Sequence, residues 1–229
     1  MIPKIIHYCW LGDSEFPELV KKCIQSWKKK MPDWEFILWD KNCLKDLNSD
    51  WVNEAYSTKK YAFAADYIRL YAVNKFGGFY LDSDVEVLKN FAPLLDSPYI
   101  FALENEIGDI EAATFGSEPN NPYVQKCLSY YEGRHFIQED GSWYTKEIAP
   151  DVLALAAEKF GLKYDNEIEQ QLEERMLILP SRILGAAWKQ VTDDTIAVHL
   201  SKGSWRKRTW LRNILTKLNF YRKIFKAHK

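Results

Sequence analysis

Apolar and polar residues follow two spacings along the chain, and their alternation predicts short strands separated by helices. The β-branched and aromatic runs IPKIIHYCW and WEFILWD predict two strands near the N terminus. Between them, residues 18–30 place apolar side chains at helical intervals. Strands separated by helices pair in parallel, so the pattern predicts an α/β sheet with ligand sites at the carboxyl ends of its strands. Trp10 and Asp40 lie at two such ends.

The central part of the chain predicts a long helix followed by a strand, a turn and a second strand. Residues 61–76 predict the helix, which ends at Gly77 and Gly78, because glycine adopts the positive φ of a helix end without steric cost. The segment FYLDSDVEVL follows. Further strands are predicted at 99–103, 112–115, 176–179 and 195–199, and further helices at 124–131, 150–160 and 208–226.

Two aspartates follow the first strand of this central segment. Asp82 and Asp84 are two residues apart, so on a regular strand they share a face and can bind one hard cation such as Mg²⁺ or Mn²⁺. A cation at that position binds a diphosphate and neutralises its charge as it departs. The alternative is a polar turn between two strands, because short acidic turns are common.

The helix before the glycines presents a second charged pair. Asp66 and Arg69 are three residues apart and therefore share a helix face. Taken alone, they form an ordinary helix ion pair, which contributes a few tenths of a kcal/mol. However, the glycines return the chain from this helix directly into the acidic strand, so we expect Asp66, Arg69, Asp82 and Asp84 to lie close together.

The composition is that of an ordinary folded protein. The 229 residues are 47% hydrophobic and 28% charged, which excludes disordered and fibrous chains. No run reaches the roughly 18 apolar residues of a membrane-spanning helix. The four cysteines show no CxxC spacing, and the chain opens on a strand pattern rather than a secretory leader, so we expect a cytoplasmic protein.

The net charge of −1 hides an uneven distribution. From Lys202 onward the chain has ten basic and no acidic residues, whereas the remainder has 21 basic and 32 acidic residues and a net charge of −11. Residues 208–226 also carry an apolar stripe at helical spacing. This pattern predicts that residues 206–229 bind an anionic membrane and hold the protein on its inner face. The alternative is a terminal helix packed on the acidic body.

Three segments, in this order, resemble glycosyltransferase family 32: IPKIIHYCWLG, AADYIRLYAVNKFGGFYLDSDVEVL and HLSKGSW. This group of DXD sugar transferases includes bacterial capsular polysaccharide enzymes and yeast-type mannosyltransferases. More distantly, the chain is similar to the glucosylating domains of clostridial toxins. The resemblance implies a GT-A fold, a Rossmann-like mixed sheet flanked by helices, over residues 1–205. Residues 206–229 follow it as the basic amphipathic tail that the charge pattern predicts. It also implies a nucleotide-sugar donor, Mn²⁺ or Mg²⁺, and retention of anomeric configuration.

The resemblance also implies roles for individual residues. Trp10 matches the aromatic residue that stacks on the nucleotide base, and Tyr80 is expected to flank the base or ribose. Asp66 and Arg69 match the pair that holds the sugar and the ribose or phosphate of the donor. Asp82 matches the DXD carboxylate nearer the ribose and metal. Asp84 matches the direct metal ligand. The two DXD aspartates, Asp66 and Arg69 form the predicted catalytic set.

The HLSKGSW segment is similar to the closing loop of other GT-A enzymes. In that arrangement a neutral His199 completes the metal site together with Asp82 and Asp84, and Lys202 meets the diphosphate. Trp205 contributes to the nucleotide-sugar site. Without the resemblance, a histidine after a strand is more often structural.

The expected activity is metal-dependent, retaining transfer of a hexose or N-acetylhexosamine from a nucleotide sugar, expected to be UDP-linked, to a glycan hydroxyl. The expected pathway is capsular or other surface polysaccharide synthesis, and a lipid-linked acceptor would suit the membrane location. Retention arises by same-face attack or through a covalent intermediate, for which Glu104, Glu106 and Glu111 are candidate carboxylates. The composition of residues 134–144 predicts acceptor recognition.

Three other functions compete with this interpretation. A toxin-like enzyme that glycosylates a protein shares the same motif. A phosphatase of the haloacid dehalogenase type would use Asp82 as nucleophile, but it requires a later acidic pair after a strand, and Asp193 and Asp194 precede one. A nucleic-acid-binding module is suggested by the basic tail. The acidic body argues against that module, so no nucleic-acid partner is expected.

Overall fold

Ten strands and five α-helices form in the part of the chain described by the structure, a computed structural model covering residues 1–104, 110–144, 147–163 and 165–200. The strands are β1 (Ile5–Cys9), β2 (Glu35–Trp39), β3 (Gly78–Leu81), β4 (Val85–Val87), β5 (Tyr99–Ala102), β6 (Thr114–Ser117), β7 (Gln170–Gln171), β8 (Met176–Leu179), β9 (Leu184–Ala186) and β10 (Ala197–His199). The helices are α1 (Glu18–Lys30), α2 (Asp50–Ser57), α3 (Tyr61–Phe76), α4 (Pro122–Ser129) and α5 (Ala149–Ala157).

Seven strands form one mixed sheet in the order β2-β1-β3-β6-β5-β8-β7. The parallel pairing predicted from the spacing holds for β1 with β2 and with β3. In contrast, β6 runs antiparallel between β3 and β5. Parallel strands need a connection of about a dozen or more residues, and residues 103–113 between β5 and β6 are too few. A second sheet has the order β4-β10-β9. Strand β4 follows the aspartate pair directly, and β10 ends at His199.

The large sheet is buried on both faces because its central strands are apolar at successive positions. On β3, Phe79 and Leu81 pack in the core that includes α1, whereas Tyr80 packs in the core that includes α2 to α5. Alternate side chains of a strand point to opposite faces. The sheet is therefore the middle layer between helices, the arrangement typical of an α/β protein.

Helix α3 packs against this core along most of its length. Ala64, Ile68, Leu70, Ala72 and Val73 are fully buried. The burial extends to two charged residues of the same helix, since Asp66 is 8% and Arg69 6% exposed. A buried charge needs a partner, so the position of α3 alone indicates that these residues belong to a polar site.

The glycine pair after α3 is required by the positive φ of both residues and by a close approach at Gly78. Gly77 has φ of 66°, and its N–H donates to the Val73 carbonyl at the end of α3. Gly78 has φ of 98°, and a Cβ there would lie 2.6 Å from the Ile5 carbonyl oxygen on β1. Because a side chain at Gly78 would collide with the neighbouring strand, glycine allows β3 to pair with β1 immediately after the helix.

Several predicted elements are confirmed, and others were missed. Helices α1 and α3 have the predicted bounds, whereas α2, β7 and β9 were not predicted. Residues 201–229 lie outside the described part of the chain. They include Lys202, Trp205, the last predicted helix at 208–226 and the whole basic tail. Among the residues that are described, no helix is both long enough and apolar enough to cross a membrane.

Candidate active site

A cavity of about 560 Å³ opens beyond the carboxyl ends of β1 and β3. It is lined by the segment after β1, which includes Trp10, Gly12 and Ser14, by the start of α3 and by the segment that leads into α5. Among the described residues, five carboxylates line the cavity: Asp66, Asp82, Asp84, Glu104 and Glu111. The location agrees with the strand-end site predicted for an α/β sheet.

The aspartate pair occupies the turn between β3 and β4 rather than a regular strand. The turn is fixed by the backbone, because the Asp82 N–H donates to the Ala113 carbonyl and the Val85 N–H donates to the Asp82 carbonyl. The predicted order of strand, turn and strand is confirmed, and the aspartates lie in the turn instead of sharing a face of a regular strand. The turn nevertheless brings both carboxylates to the same edge of the cavity.

His199 reaches the aspartates through the second sheet. Strand β10 pairs antiparallel with β4, which places His199 opposite Val85, the residue after Asp84. The His199 Nε2 lies 3.5 Å from Asp84 Oδ1. One atom each from Asp82, Asp84 and His199 lie within 4.8 Å of one another. Two carboxylate oxygens and an imidazole nitrogen suit Mn²⁺ or Mg²⁺ chemically, so the three predicted metal ligands are brought together.

Arg69 holds two carboxylates from inside the protein. Its guanidinium lies 3.1 Å from the Asp66 carboxylate and 3.4 Å from the Asp82 carboxylate. It also donates to the Ala112 carbonyl at 2.7 Å. Burial disfavours the charged guanidinium, but Asp82, Tyr80 and Asp66 outweigh that effect, so the pKa of Arg69 lies above its usual value. The predicted charged pair of α3 is thus joined to the DXD turn.

Tyr80 supports Asp82 from β3. Its ring is 1% exposed and lies under Arg69, with 4.9 Å from the guanidinium carbon to the ring centroid. The Tyr80 hydroxyl donates to Asp82 Oδ1 at 2.9 Å. Burial raises the pKa of Asp82 above its usual value. The charge of Arg69 lowers this pKa, and the neighbouring carboxylate of Asp84 raises it further. A bound cation would relieve the repulsion between the two aspartates.

Glu111 is a site residue whose place the sequence did not indicate. It precedes β6 and is 2% exposed, and its Oε1 lies 3.3 Å from His199 Nδ1. Burial lowers the pKa of His199, but Glu111 and Asp84 more than offset this and raise it to about 10. Sequence reasoning identified Glu111 only as one of three candidate carboxylates. No local signal marks its contact with His199, because the two residues meet through strand pairing.

Trp10 lies directly after β1 and forms part of the cavity wall. Its indole N–H donates to the Ser14 carbonyl at 2.9 Å, and the ring packs edge-on against Phe16 with centroids 5.3 Å apart. The ring is half-buried. These contacts fix the orientation of an aromatic surface at the cavity.

Other residues singled out from the sequence lie elsewhere. Asp40 caps the short turn after β2 by accepting from the Asn42 N–H. Asp194 pairs with Arg182 at 3.5 Å, and neither Asp193 nor Asp194 lines the cavity, so this acidic pair does not meet the DXD turn as a phosphatase would require. Residues of the 134–144 segment line a second pocket. Glu106 lies outside the described residues.

The chain is similar to glycosyltransferases in sequence. Residues 17–101 match the family model described as "Glycosyltransferase sugar-binding region containing DXD motif". Inositol phosphoceramide mannosyltransferase 1 of Schizosaccharomyces pombe is 27% identical over 147 residues, 60% of this chain and 46% of that protein. Mannosyl phosphorylinositol ceramide synthase SUR1 of Saccharomyces cerevisiae is 29% identical over 144 residues, 60% of this chain and 37% of that protein. The chain therefore spans less than half the length of these two relatives.

Solved structures show the same fold. The "PaToxG Glycosyltransferase" superimposes with a TM-score of 0.53 at 20% identity and covers 69% of both chains. A glycosyltransferase involved in the glycosylation of the major capsid of PBCV-1 gives a TM-score of 0.51 at 13% identity, over 86% of this chain and 93% of that one. The GT-A fold and the family resemblance predicted from the sequence are confirmed.

Proposed function

We propose that this chain, which carries the sugar-binding region of the DXD-containing glycosyltransferases, transfers a hexose or N-acetylhexosamine from a nucleotide diphosphate sugar to a glycan hydroxyl. The observation that carries the proposal is the convergence of Asp82, Asp84 and His199 at the edge of a cavity large enough for such a donor. The donor lies in this cavity with its diphosphate beside the three ligands.

The charges around the cavity support a requirement for Mn²⁺ or Mg²⁺. Five carboxylates face a diphosphate donor there, and Arg69 is already engaged with two of them. Like charges repel strongly in a partly buried site. Asp82, Asp84 and His199 would hold the cation, which as a Lewis acid stabilises the departing diphosphate. Binding of the anionic donor beside these carboxylates therefore requires the metal ion.

The remaining contacts favour an ordered donor. Trp10 offers its face to the base, and Asp66, fixed by Arg69, accepts hydrogen bonds from sugar or ribose hydroxyls. Arg69 acts mainly by holding Asp66 and Asp82 in place. Direct contact of Arg69 with the donor stays a prediction from the resemblance, as do the roles of Lys202 and Trp205. We also propose retention of configuration, by same-face attack or through a covalent intermediate.

The relatives support a lipid-linked acceptor, because their names describe mannosyl transfer to inositol phosphoceramide. Such an acceptor agrees with the proposed binding of residues 206–229 to the inner face of an anionic membrane, and with a role in capsular or other surface polysaccharide synthesis. Flotation with anionic liposomes tests the membrane part. Full-length protein should float, whereas a chain that ends at Lys207 should not. Equal flotation of the two would contradict it.

The activity is tested with a panel of UDP-glucose, UDP-galactose, UDP-N-acetylglucosamine and GDP-mannose, each with Mn²⁺, scored by release of nucleoside diphosphate. One donor should be hydrolysed, EDTA should stop the reaction and added Mn²⁺ should restore it. UDP-linked donors are expected from the resemblance, whereas the mannosyltransferase relatives favour GDP-mannose, so the panel decides between them. Hydrolysis of simple phosphate monoesters without sugar-nucleotide turnover would support the phosphatase alternative instead.

A further inference from the structure

Glu111 lies behind His199, on the side away from the aspartates. The two nitrogens of the His199 ring face different carboxylates, since Nε2 lies 3.5 Å from Asp84 and Nδ1 lies 3.3 Å from Glu111. The three atoms that could share one cation come from Asp82, Asp84 and His199. Glu111 is therefore placed to act on the cation through the imidazole ring.

The position of the Glu111 carboxylate is fixed by the backbone around it. The Ala113 N–H donates to Glu111 Oε1 at 3.0 Å. On the other side, Gly185 of β9 leaves room for Oε2, because a Cβ at that glycine would lie only 2.6 Å from it. Strand β9 pairs with β10, the strand that carries His199. The carboxylate thus lies against β9, the strand next to the one that carries the imidazole.

We propose that Glu111 is a positioning residue that accepts a hydrogen bond from the His199 Nδ1–H and so directs the Nε2 lone pair to the cation. The proposal rests on the metal site proposed above. A neutral imidazole that binds a metal through Nε2 keeps its proton on Nδ1 and needs an acceptor there when buried. A carboxylate in that place fixes the ring orientation and raises the basicity of the ligand nitrogen.

The direct test is the affinity of the full-length protein for Mn²⁺ alone, measured by electron paramagnetic resonance of the free ion during a titration. Glu111→Ala should weaken Mn²⁺ binding by about 10- to 100-fold. Glu111→Gln should weaken Mn²⁺ binding less than Glu111→Ala, because its amide oxygen accepts the same hydrogen bond but lacks the charge that raises the basicity of the ligand nitrogen. Glu54→Ala is the matched control: Glu54 also pairs with a histidine Nδ1 and accepts a backbone N–H, but at a distant surface site, so its removal should change nothing.

A second measurement separates positioning from a general loss of structure. Spin-echo modulation of the Mn²⁺-loaded protein should show nitrogen coupling from His199 in wild type and Glu111→Gln, and it should weaken in Glu111→Ala. Thermal melting establishes that each variant is folded. If Glu111→Ala does not fold, Glu111→Asp, which keeps the charge but shortens the side chain by one methylene, should also weaken Mn²⁺ binding.

The outcomes distinguish this inference from the proposed function. If wild type binds Mn²⁺ but folded Glu111→Ala binds it equally well with unchanged nitrogen coupling, the role given to Glu111 is wrong. Loss of sugar transfer in that variant with unchanged Mn²⁺ affinity would also overturn it, because Glu111 would then act on the substrate. If wild type binds no Mn²⁺ at all, metal-dependent transfer itself is contradicted.

Discussion

Two histidine–glutamate pairs in the described part of the chain have similar local chemistry and different surroundings. His199 Nδ1 lies 3.3 Å from Glu111, and His135 Nδ1 lies 2.6 Å from Glu54. Each glutamate also accepts a backbone N–H, from Ala113 or Ile137. The first pair lies at the donor cavity, and the second anchors residues 134–144 to α2.

The difference lies in burial and in a second carboxylate. The His199 side chain is 12% exposed and has Asp84 on its other nitrogen, whereas the His135 side chain is 57% exposed. At His199, burial lowers the pKa, yet Glu111 and Asp84 raise it to about 10. At His135, the hydrogen bond to Glu54 and the charge of that carboxylate raise the pKa. A His–Glu pair therefore indicates a metal site only where further ligands converge on the free side of the ring.

The largest effect is expected from Asp84. Replacement by alanine removes one of the three ligands, so donor hydrolysis and transfer should fall by about a thousand-fold or more, as expected when a charge-stabilising group is lost at the reacting centre. The fold should survive, because Asp84 lies in a turn at the cavity edge. Rates of nucleoside diphosphate release by donor hydrolysis, which needs no acceptor, measure the effect, with Glu54→Ala as the control. Metal-dependent turnover in the Asp84→Ala protein would count against the site.

Arg69 should have the largest effect on stability. Arg69→Met removes the guanidinium between Asp66 and Asp82 and leaves buried carboxylates without compensation, which should lower the free energy of unfolding by about 3–5 kcal/mol. Urea unfolding of the metal-free protein measures it. Glu54→Gln breaks an exposed pair and should shift the urea midpoint only slightly. Equal shifts for the two variants would show that burial does not set the strength of these ion pairs.

The two regions also differ in how much of them the sequence predicted. Helix α3, its glycine end and the DXD turn were predicted because they are adjacent in the chain and governed by local rules. The place of His199 beside Asp84 came from the resemblance, since it depends on the pairing of β10 with β4. The contact of Glu111 with His199 could not be predicted, because it requires β9, β10 and the segment before β6 to meet.

Helix α2 was missed for a different reason. It is only eight residues long, but Ser49 caps it by accepting from the Val52 N–H, a local signal present in the sequence. Because Glu54 lies on α2, the contact between Glu54 and His135 was not predicted either. The acceptor role predicted for residues 134–144 stays a prediction from composition.

Replacing Trp10 or Trp143 tests the proposed donor cavity and residues 134–144 independently. Trp10→Ala should weaken donor binding by about 1–3 kcal/mol, the usual loss of base–aromatic stacking, or about 5- to 150-fold in Kd. Trp143 is 47% exposed and packs over Lys60 instead of lining the donor cavity. Trp143→Ala should therefore leave donor Kd unchanged and raise the KM for acceptor. Calorimetry with donor and Mn²⁺ measures Kd, and an unchanged value for Trp10→Ala would contradict stacking.

The smallest effect is the pH dependence of the His135–Glu54 pair. The hydrogen bond raises the pKa of His135 above 6.5, so this contribution to stability is present below pH 6.5 and is lost as the pH rises through the raised pKa. For Glu54, burial raises the pKa, but His135 and the Ile137 N–H lower it below 4.5, so its contribution is lost as the pH falls through that lowered value. The difference in melting temperature between wild type and Glu54→Gln should therefore be largest between pH 4.5 and 6.5 and should shrink above the raised pKa of His135. If the difference in melting temperature does not depend on pH, residues 134–144 are held by neutral contacts. The His135–Glu54 pair would then be less like the buried His199–Glu111 pair than their similar geometry indicates.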